Sequence, residues 1–368
     1  MRKTLMIDLR MYRRSGIGRY LQLLMPNLIP RLNASNIILL CNPREVEGVT
    51  WCADPRIQTR DFQVPIFTLS EQLAWLRGVY SDADLLWTPQ YNIPLGYRGK
   101  LVVTVHDLVQ LAYPQTLANG LQRWYARRLF CAVGARAKAI LCVSEFTASE
   151  VRRYLGVDGT RTVVTYPDLP TLEKSDITDD SSLAVRPYLL AVGNVKTHKN
   201  LRSLIEAFDR IRSQIPHNLI IIGRLEGFRN SDISVVSASK SLEGRVRFIG
   251  YVPDEKLSCY YRDASALVFP SIYEGFGFPV LEAMAHGCPV ACSNVSASPE
   301  VAGDAALFFD PFDVESIASA IIKITTDKGL RDELTRRGYT RIERFRSKDC
   351  SDKTAAVING IMGLSDLH

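Results

Sequence analysis

The chain predicts an α/β protein built as two doubly wound domains facing one cleft. Three observations predict it. Short apolar, β-rich runs alternate with longer helical stretches along most of the sequence. The 368 residues are too many for one comfortable core and suit two domains of ordinary size. Between the halves, Pro167–Ser182 is rich in prolines, acids and hydroxyls, has no apolar period and reads as a linker, after which Tyr188 restarts a strand as Thr4 did. The expected domains are residues 1–180 and 181–346.

In the first half the predicted strands are Thr4–Leu9, Ile37–Cys41, Leu101–Val105 and Ile140–Val143, with a further Leu-Leu-Trp strand at residues 85–87. In the second half they are Tyr188–Val192, Leu219–Ile222, Val246–Ile249, Ala266–Pro270 and Pro289–Ser293, with a helix over Leu201–Ile215. An amphipathic helix follows Ser15–Gly18, and Pro26 inside it predicts a kink or an early end.

Composition narrows the function classes. Hydrophobic residues make up 46% and charged residues 23%, a soluble globular balance, and no apolar run reaches the length of a spanning helix. Asp8 and Arg10 interrupt the N-terminal apolar stretch too soon for a signal peptide, so it reads as a first strand and the protein as cytoplasmic. The eight cysteines are scattered through apolar segments without zinc-ligand spacing and read as buried thiols of a reducing compartment. Five histidines, none in a ligand cluster, give no sign of a structural metal. The net charge of +6 is mild and compatible with nucleotide phosphates, anionic lipid or nucleic acid, but no nucleic-acid motif accompanies it.

The richest segment is Pro270-Ser-Ile-Tyr-Glu-Gly-Phe-Gly-Phe-Pro-Val-Leu-Glu282. A buried strand leads through a glycine-rich loop into a short helix, with Pro279 suited to its first turn and Gly287 with Pro289 to its end. Loop amides and a helix N-terminus can hold a diphosphate, and Gly275 and Gly277 let the backbone approach it. Glu274 on the loop and Glu282 near the first helical turn can serve a sugar hydroxyl and a ribose, or can be two solvated acids.

Other candidates are individually weaker. Gly16 and Gly18 sit where exposed amides can meet a phosphate, or where a tight turn needs glycine. Lys199 is either a diphosphate counter-charge or a solvated lysine. His106 ends an apolar strand, a place where α/β proteins gather ligands, and can equally be a core histidine satisfied by Asp107 or backbone. Asp82-Ala-Asp84 mimics a metal-binding pair but precedes a strand and reads as its solvated entrance. Leu121–Lys138 mixes aromatics with Arg123, Arg127, Arg128, Arg136 and Lys138, a helix that can lie on anionic lipid or simply turn a basic face to water, and Arg13, Arg14 and Arg19 can extend that surface.

Taken together these motifs resemble glycosyltransferase family four, the retaining family with the GT-B fold of two Rossmann-like domains. The Glu274-to-Glu282 string resembles its Glu-x7-Glu signature. Met6–Arg10 with Ser15–Tyr20 resembles its opening strand and glycine loop, Thr104–Leu108 with Tyr113-Pro114 its "TVHDL…YP" stretch, and Cys142–Thr147 its "VSEFT". Val192–Leu201 is similar to the "GN-x-KPHKNL" form of bacterial mannosyl- and rhamnosyltransferases, and Gly250–Leu257 to the nucleotide-base loop.

The resemblance implies a hexosyltransferase using a nucleoside diphosphate sugar, GDP-mannose or GDP-rhamnose before a UDP-sugar, in O-antigen or exopolysaccharide assembly. The second domain would bind the donor and the first the acceptor, a glycan or polyprenyl-linked glycan. The helix after Ser347 would return to the first domain, and no metal or redox cofactor would be needed. Glu274 would hold the sugar hydroxyls, Glu282 the ribose, Tyr251 and Val252 the base edge, and Lys199 with the amides around Gly275, Phe276, Gly277, Phe278, Pro279 and Val280 the diphosphate. His106 would lie near the transferred sugar, and Gly16 or Gly18 would approach the diphosphate. Asn194 departs from the family, where arginine is common; Arg224 or Lys196 would supply the missing charge. Peripheral contact with the inner face of the cell membrane would give the basic helix a purpose. The rival readings are another GT-B reaction, such as sugar-nucleotide epimerisation or glycogen-type synthesis, and a catalytically silent partner or scaffold subunit.

Overall fold

The computed structural model describes residues 2–169, 187–224, 235, 242, 244–346 and 348–364. It divides into two compact units. The first comprises Met1–Leu111, Gly120–Pro170 and Phe345–His368, and the second Ala112–Asn119 and Thr171–Arg344. Most of the expected linker, residues 170–182, lies outside the described residues.

The first unit holds seven parallel strands: β1 Thr4–Asp8, β2 Asn36–Cys41, β3 Ile57–Asp61, β4 Leu85–Thr88, β5 Lys100–Val105, β6 Ala139–Cys142 and β7 Thr162–Val164. They run in the order β3-β2-β1-β4-β5-β6-β7, so the winding reverses between β1 and β4. Its helices are α1 Ser15–Leu28, α2 Leu69–Trp75, α3 Val109–Ala112, α4 Gly120–Arg136 and α5 Glu145–Leu155. Central strands are apolar almost throughout because helices cover both faces of a parallel sheet; β4, Leu-Leu-Trp-Thr, is buried at every position. The edge strand β3, Ile-Gln-Thr-Arg-Asp, is polar and mostly exposed, and for that reason gives no strand signal in the sequence.

The structure corrects two expectations and sets the end of α1. Ser15–Gly18 is not a loop before α1 but its first turn, since Gly18 N–H already donates to Arg14 O at 2.8 Å. α1 ends at Leu28, two residues past Pro26, and the chain tightens into a short helical turn over Ile29–Arg31. Not every thiol is buried: Cys131 is exposed on the water side of α4, and Cys52 is half-buried.

The second unit holds six parallel strands: β8 Tyr188–Val192, β9 Asn218–Ile222, β10 Val246–Gly250, β11 Ala266–Phe269, β12 Val290–Ser293 and β13 Ala306–Phe309. Their order, β10-β9-β8-β11-β12-β13, reverses between β8 and β11. The helices are α6 Leu201–Ile211, α7 Asp254–Asp263, α8 Phe278–Ala285, α9 Ser298–Ala302, α10 Val314–Thr326 and α11 Lys328–Glu343. Leu201, Leu204, Ile205, Phe208 and Ile211 form the buried stripe of α6 that packs on the sheet. Predicted strands that included Pro270 and Pro289 stop short of them, since proline cannot donate to a ladder.

The last helix, α12 Asp349–Met362, belongs to the first unit and packs on α1. Asn359 ties it down, donating to Arg31 O at 2.9 Å and accepting from Asn33 N–H at 3.0 Å, and Arg31 pairs with Asp352.

Candidate functional site

In doubly wound sheets ligands gather beyond the carboxyl ends of the strands where the winding reverses. In the second unit that point lies between β8 and β11, and the candidate residues follow these strands and their neighbours. Asn194 and Lys199 follow β8, Arg224 follows β9, Tyr251 and Val252 follow β10, and Glu274–Val280 follow β11.

The reversal point is bridged by an ion pair between Lys199 and Glu274, both largely buried. The solvated-lysine alternative is thereby overturned, and Glu274 is not a solvated acid. Lys199 also lies 5.7 Å above the Phe269 ring. Burial pushes the Glu274 carboxyl up, but the charge and hydrogen bond of Lys199 outweigh it and hold it below the usual glutamate range. Glu274 is fixed through its backbone as well, its N–H donating to Ser296 Oγ at 3.2 Å.

Beyond Glu274 the chain enters α8 through Gly277, which at φ +111° occupies a backbone region costly for any side chain. Pro279 sits in the first turn of α8 and has no N–H, and Val280 N–H donates to Gly277 O at 3.1 Å, leaving Gly277 and Phe278 to offer theirs. Phe276 is buried against Phe278, with ring centroids 5.2 Å apart. Glu282 lies in the second turn of α8 rather than the first and accepts from the Tyr261 hydroxyl of α7 at 3.0 Å.

Asn194 acts structurally, because its Oδ1 accepts from Arg224 N–H at 3.1 Å and so joins the loop after β8 to the loop after β9. The two loops touch at Gly223, where a Cβ would stand 2.0 Å from Gly193 O. The Arg224 guanidinium lies over the exposed Tyr251 ring, 5.1 Å from its centroid, a cation–π arrangement at the edge of the group. Val252 is buried.

Sequence reasoning missed two residues. His198 lies beside Lys199 and Glu274; among the described residues its buried Nδ1 has no hydrogen-bond partner, and burial, helped by Lys199, lowers its pKa to about 4. The signal is there, since His198 is the histidine of the "GN-x-KPHKNL" stretch, but no role is read from it. Tyr261 carries no signal in sequence, because only the packing of α7 on α8 brings it to Glu282.

In the first unit, His106 follows β5. Its Nε2 lies 2.9 Å from Pro89 O and therefore carries the proton, which leaves Nδ1 as the acceptor. Burial lowers its pKa to about 4, so the ring is neutral near neutral pH. Tyr20 stands edge-on at 4.9 Å, and Thr147 Oγ1 donates to His106 O at 3.3 Å. The imidazole is satisfied by backbone rather than by Asp107, whose carboxylate instead accepts from Val109 N–H. Gly16 is open, whereas a Cβ on Gly18 would stand 2.7 Å from Met11 O, so close packing explains that glycine. Asp82 pairs with Arg60, and Asp84 with Lys3 and Thr4 N–H, as a strand entrance should. Among the described residues no group of three or more His, Cys, Asp or Glu is placed to hold a metal, and no helix is long and apolar enough to cross a membrane.

Two family models match. Residues 16–167 match Glycosyltransferase Family 4, and residues 177–341 match Glycosyl transferases group 1. O-antigen chain mannosyltransferase B of Escherichia coli is 33% identical over 290 residues, covering 76% of this chain and 75% of that one. O-antigen chain mannosyltransferase RfbU of Salmonella typhimurium is 33% identical over 245 residues, 67% and 66% of the two chains. Among solved structures, sucrose-phosphate synthase of Thermosynechococcus elongatus superposes with a TM-score of 0.78 at 19% identity, over 99% of this chain and 100% of that one. WaaG, a glycosyltransferase involved in lipopolysaccharide biosynthesis, gives 0.73 at 17%, over 97% and 100%. These likenesses establish the GT-B fold of two Rossmann-like domains.

Proposed function

Because the chain belongs to glycosyltransferase family four and is a glycosyltransferase, we propose that it transfers mannose from GDP-mannose, with retention at the anomeric carbon, to a lipid-linked glycan during O-antigen assembly. The mannosyl and O-antigen parts are supported by the names of the two bacterial relatives. One observation carries the chemistry: Lys199 and Glu274 meet across the reversal point of the second sheet, beside the N-terminus of α8.

Glycosyl transfer from a nucleoside diphosphate places growing negative charge on the leaving diphosphate and positive charge on the sugar ring. Lys199 and the Gly277 and Phe278 amides are suited to the first, acting as preorganised donors at a helix N-terminus. Glu274, kept ionised, is suited to accept from sugar hydroxyls and to face the second. Glu282, steadied by Tyr261, takes the ribose, and Tyr251 with Val252 the base edge. The Arg224 guanidinium supplies the charge that Asn194 lacks. His106, neutral and with Nδ1 as an acceptor, serves to position the transferred sugar. No metal or redox cofactor enters the reaction. The first unit takes the acceptor, and its basic helix α4 meets the inner face of the cell membrane. A thermal-shift panel of GDP- and UDP-sugars tests the donor: GDP-mannose should raise the melting temperature most, and a larger shift with a UDP-sugar would replace it.

A further inference from the structure

Phe67 is held in a backbone conformation that its side chain resists. Its φ is +60°, a left-handed value that glycine fills by default. Among the described residues three other non-glycine positions share it, Asn200, Ser296 and Lys348, and Phe67 alone is apolar and bulky. The strain does not serve burial, because the ring stays 40% exposed.

What holds Phe67 is a buried network at the reversal point of the first sheet. Phe67 N–H donates to Glu71 Oε2 at 2.9 Å. The fully buried Glu71 carboxylate also accepts from Asn92 Nδ2, at 2.7 Å to each oxygen, and pairs with Arg10 at 2.6 Å. Arg10 pairs in turn with Asp8 at 2.6 Å and lies 4.8 Å from the Phe62 ring and 5.2 Å from the Trp75 ring. Asp8 ends β1 and Asn92 follows β4, the two strands between which the winding reverses. Backbone strain that its surroundings over-determine in this way gathers at ligand sites.

The surroundings of the ring indicate the kind of ligand. Phe67 packs on Tyr91 with centroids 5.2 Å apart, and Tyr91 stacks on the buried Phe130 at 4.1 Å, so a column of aromatic rings reaches the surface at Phe67. Tyr91 lies in the loop after β4, two residues from Pro89, whose carbonyl holds the His106 ring. Burial and, after it, the nearby Asp107 carboxylate raise the pKa of the Tyr91 phenol. The same loop holds two buried acceptors, Gln90 Oε1 and Asn92 Oδ1, with no hydrogen-bond partner among the described residues, a demand that hydroxyls or water meet. A carboxylate beside an aromatic face repels a phosphate and suits a pyranose. The sugar's C–H groups carry partial positive charge and lie on the negative face of the ring, while its hydroxyls donate.

We propose that the Phe67 ring, beside Asp107, is the platform on which a pyranose of the acceptor glycan stacks. The proposal rests on the reading that the first unit takes the acceptor, and it names the residue that holds it. Glu71, Asn92 and Arg10 act through the Phe67 backbone and are positioning residues.

The test is saturation-transfer difference NMR of the full chain with methyl α-mannopyranoside and with methyl β-N-acetylglucosaminide. The wild type should transfer saturation to the ring C–H protons of at least one glycoside. Phe67→Gly, which relieves the backbone and removes the ring, should weaken that binding by about fivefold or more while still melting cooperatively. Phe67→Trp, which keeps an aromatic face, should retain it. Binding of neither glycoside by the wild type, or undiminished binding by Phe67→Gly, would overturn the proposal. Calorimetry of GDP-mannose with the wild type and Phe67→Gly separates the two readings. Equal donor affinity is expected, and a donor affinity lost with the ring would also overturn the platform. A donor that binds neither protein would contradict the donor assignment alone.

Discussion

The ammonium of Lys199 and the carboxylate of Glu274 meet inside the second unit, joining the loop after β8 to the loop after β11 where the sheet reverses. Each is largely shielded from water, and the Lys199 ammonium holds the Glu274 carboxyl below the usual glutamate range.

Removing Lys199 should therefore do more than delete a phosphate contact. In Lys199→Ala the Glu274 carboxylate is left buried without its cation, and its pKa, now held down, should rise. Transfer should fall by about 10²-fold or more. Steady-state kinetics give the loss and carbon-detected NMR of the carboxyl gives the titration; an unmoved Glu274 would contradict the pairing.

The two glutamates should separate binding from turnover. Glu282→Ala should weaken donor affinity in calorimetry, and Tyr261→Phe, which loses the 3.0 Å hydrogen bond, should weaken it by up to about tenfold. Glu274→Ala should abolish transfer while nucleotide binding survives. Unchanged affinity in Glu282→Ala would remove that residue from the donor site.

Gly223→Ala should be costly although no ligand is involved. The added Cβ would meet Gly193 O at 2.0 Å from a backbone at φ +155°, and neither loop can retreat without breaking the Asn194–Arg224 hydrogen bond. A loss of about 3 kcal/mol or more in denaturant melts is expected; a loss within the range of an ordinary surface substitution would refute the tight crossing.

His106 should make the protein less stable in mild acid. Its folded pKa is depressed to about 4 from an ordinary 6.5, so between these values the unfolded chain binds more protons. The contribution is complete above about pH 6.5 and is lost as pH falls toward about 4. Melts of wild type and His106→Gln across that range should converge on acidification; parallel curves would show a histidine that titrates normally.

Much of this arrangement is legible in sequence. Central strands such as Tyr188–Val192 announce themselves because both faces are buried and every position is apolar. Of the edge strands only β10 does: β3 mixes Gln, Thr, Arg and Asp, and β7 and β13 are short and half-buried. The glycine string before α8 marks the site because the positive φ at Gly277 demands glycine and the first turn of α8 suits Pro279. The Lys199–Glu274 pair and the Tyr261–Glu282 bond are products of tertiary packing between distant segments, which no local pattern encodes.

The central claim is retaining mannosyl transfer from a GDP-linked donor. Proton NMR of the anomeric position in the product formed from GDP-α-mannose tests it most directly. An α-linked mannoside is the expected result; a β-linked product, or a donor left intact in the presence of acceptor while a UDP-sugar is consumed, would contradict it.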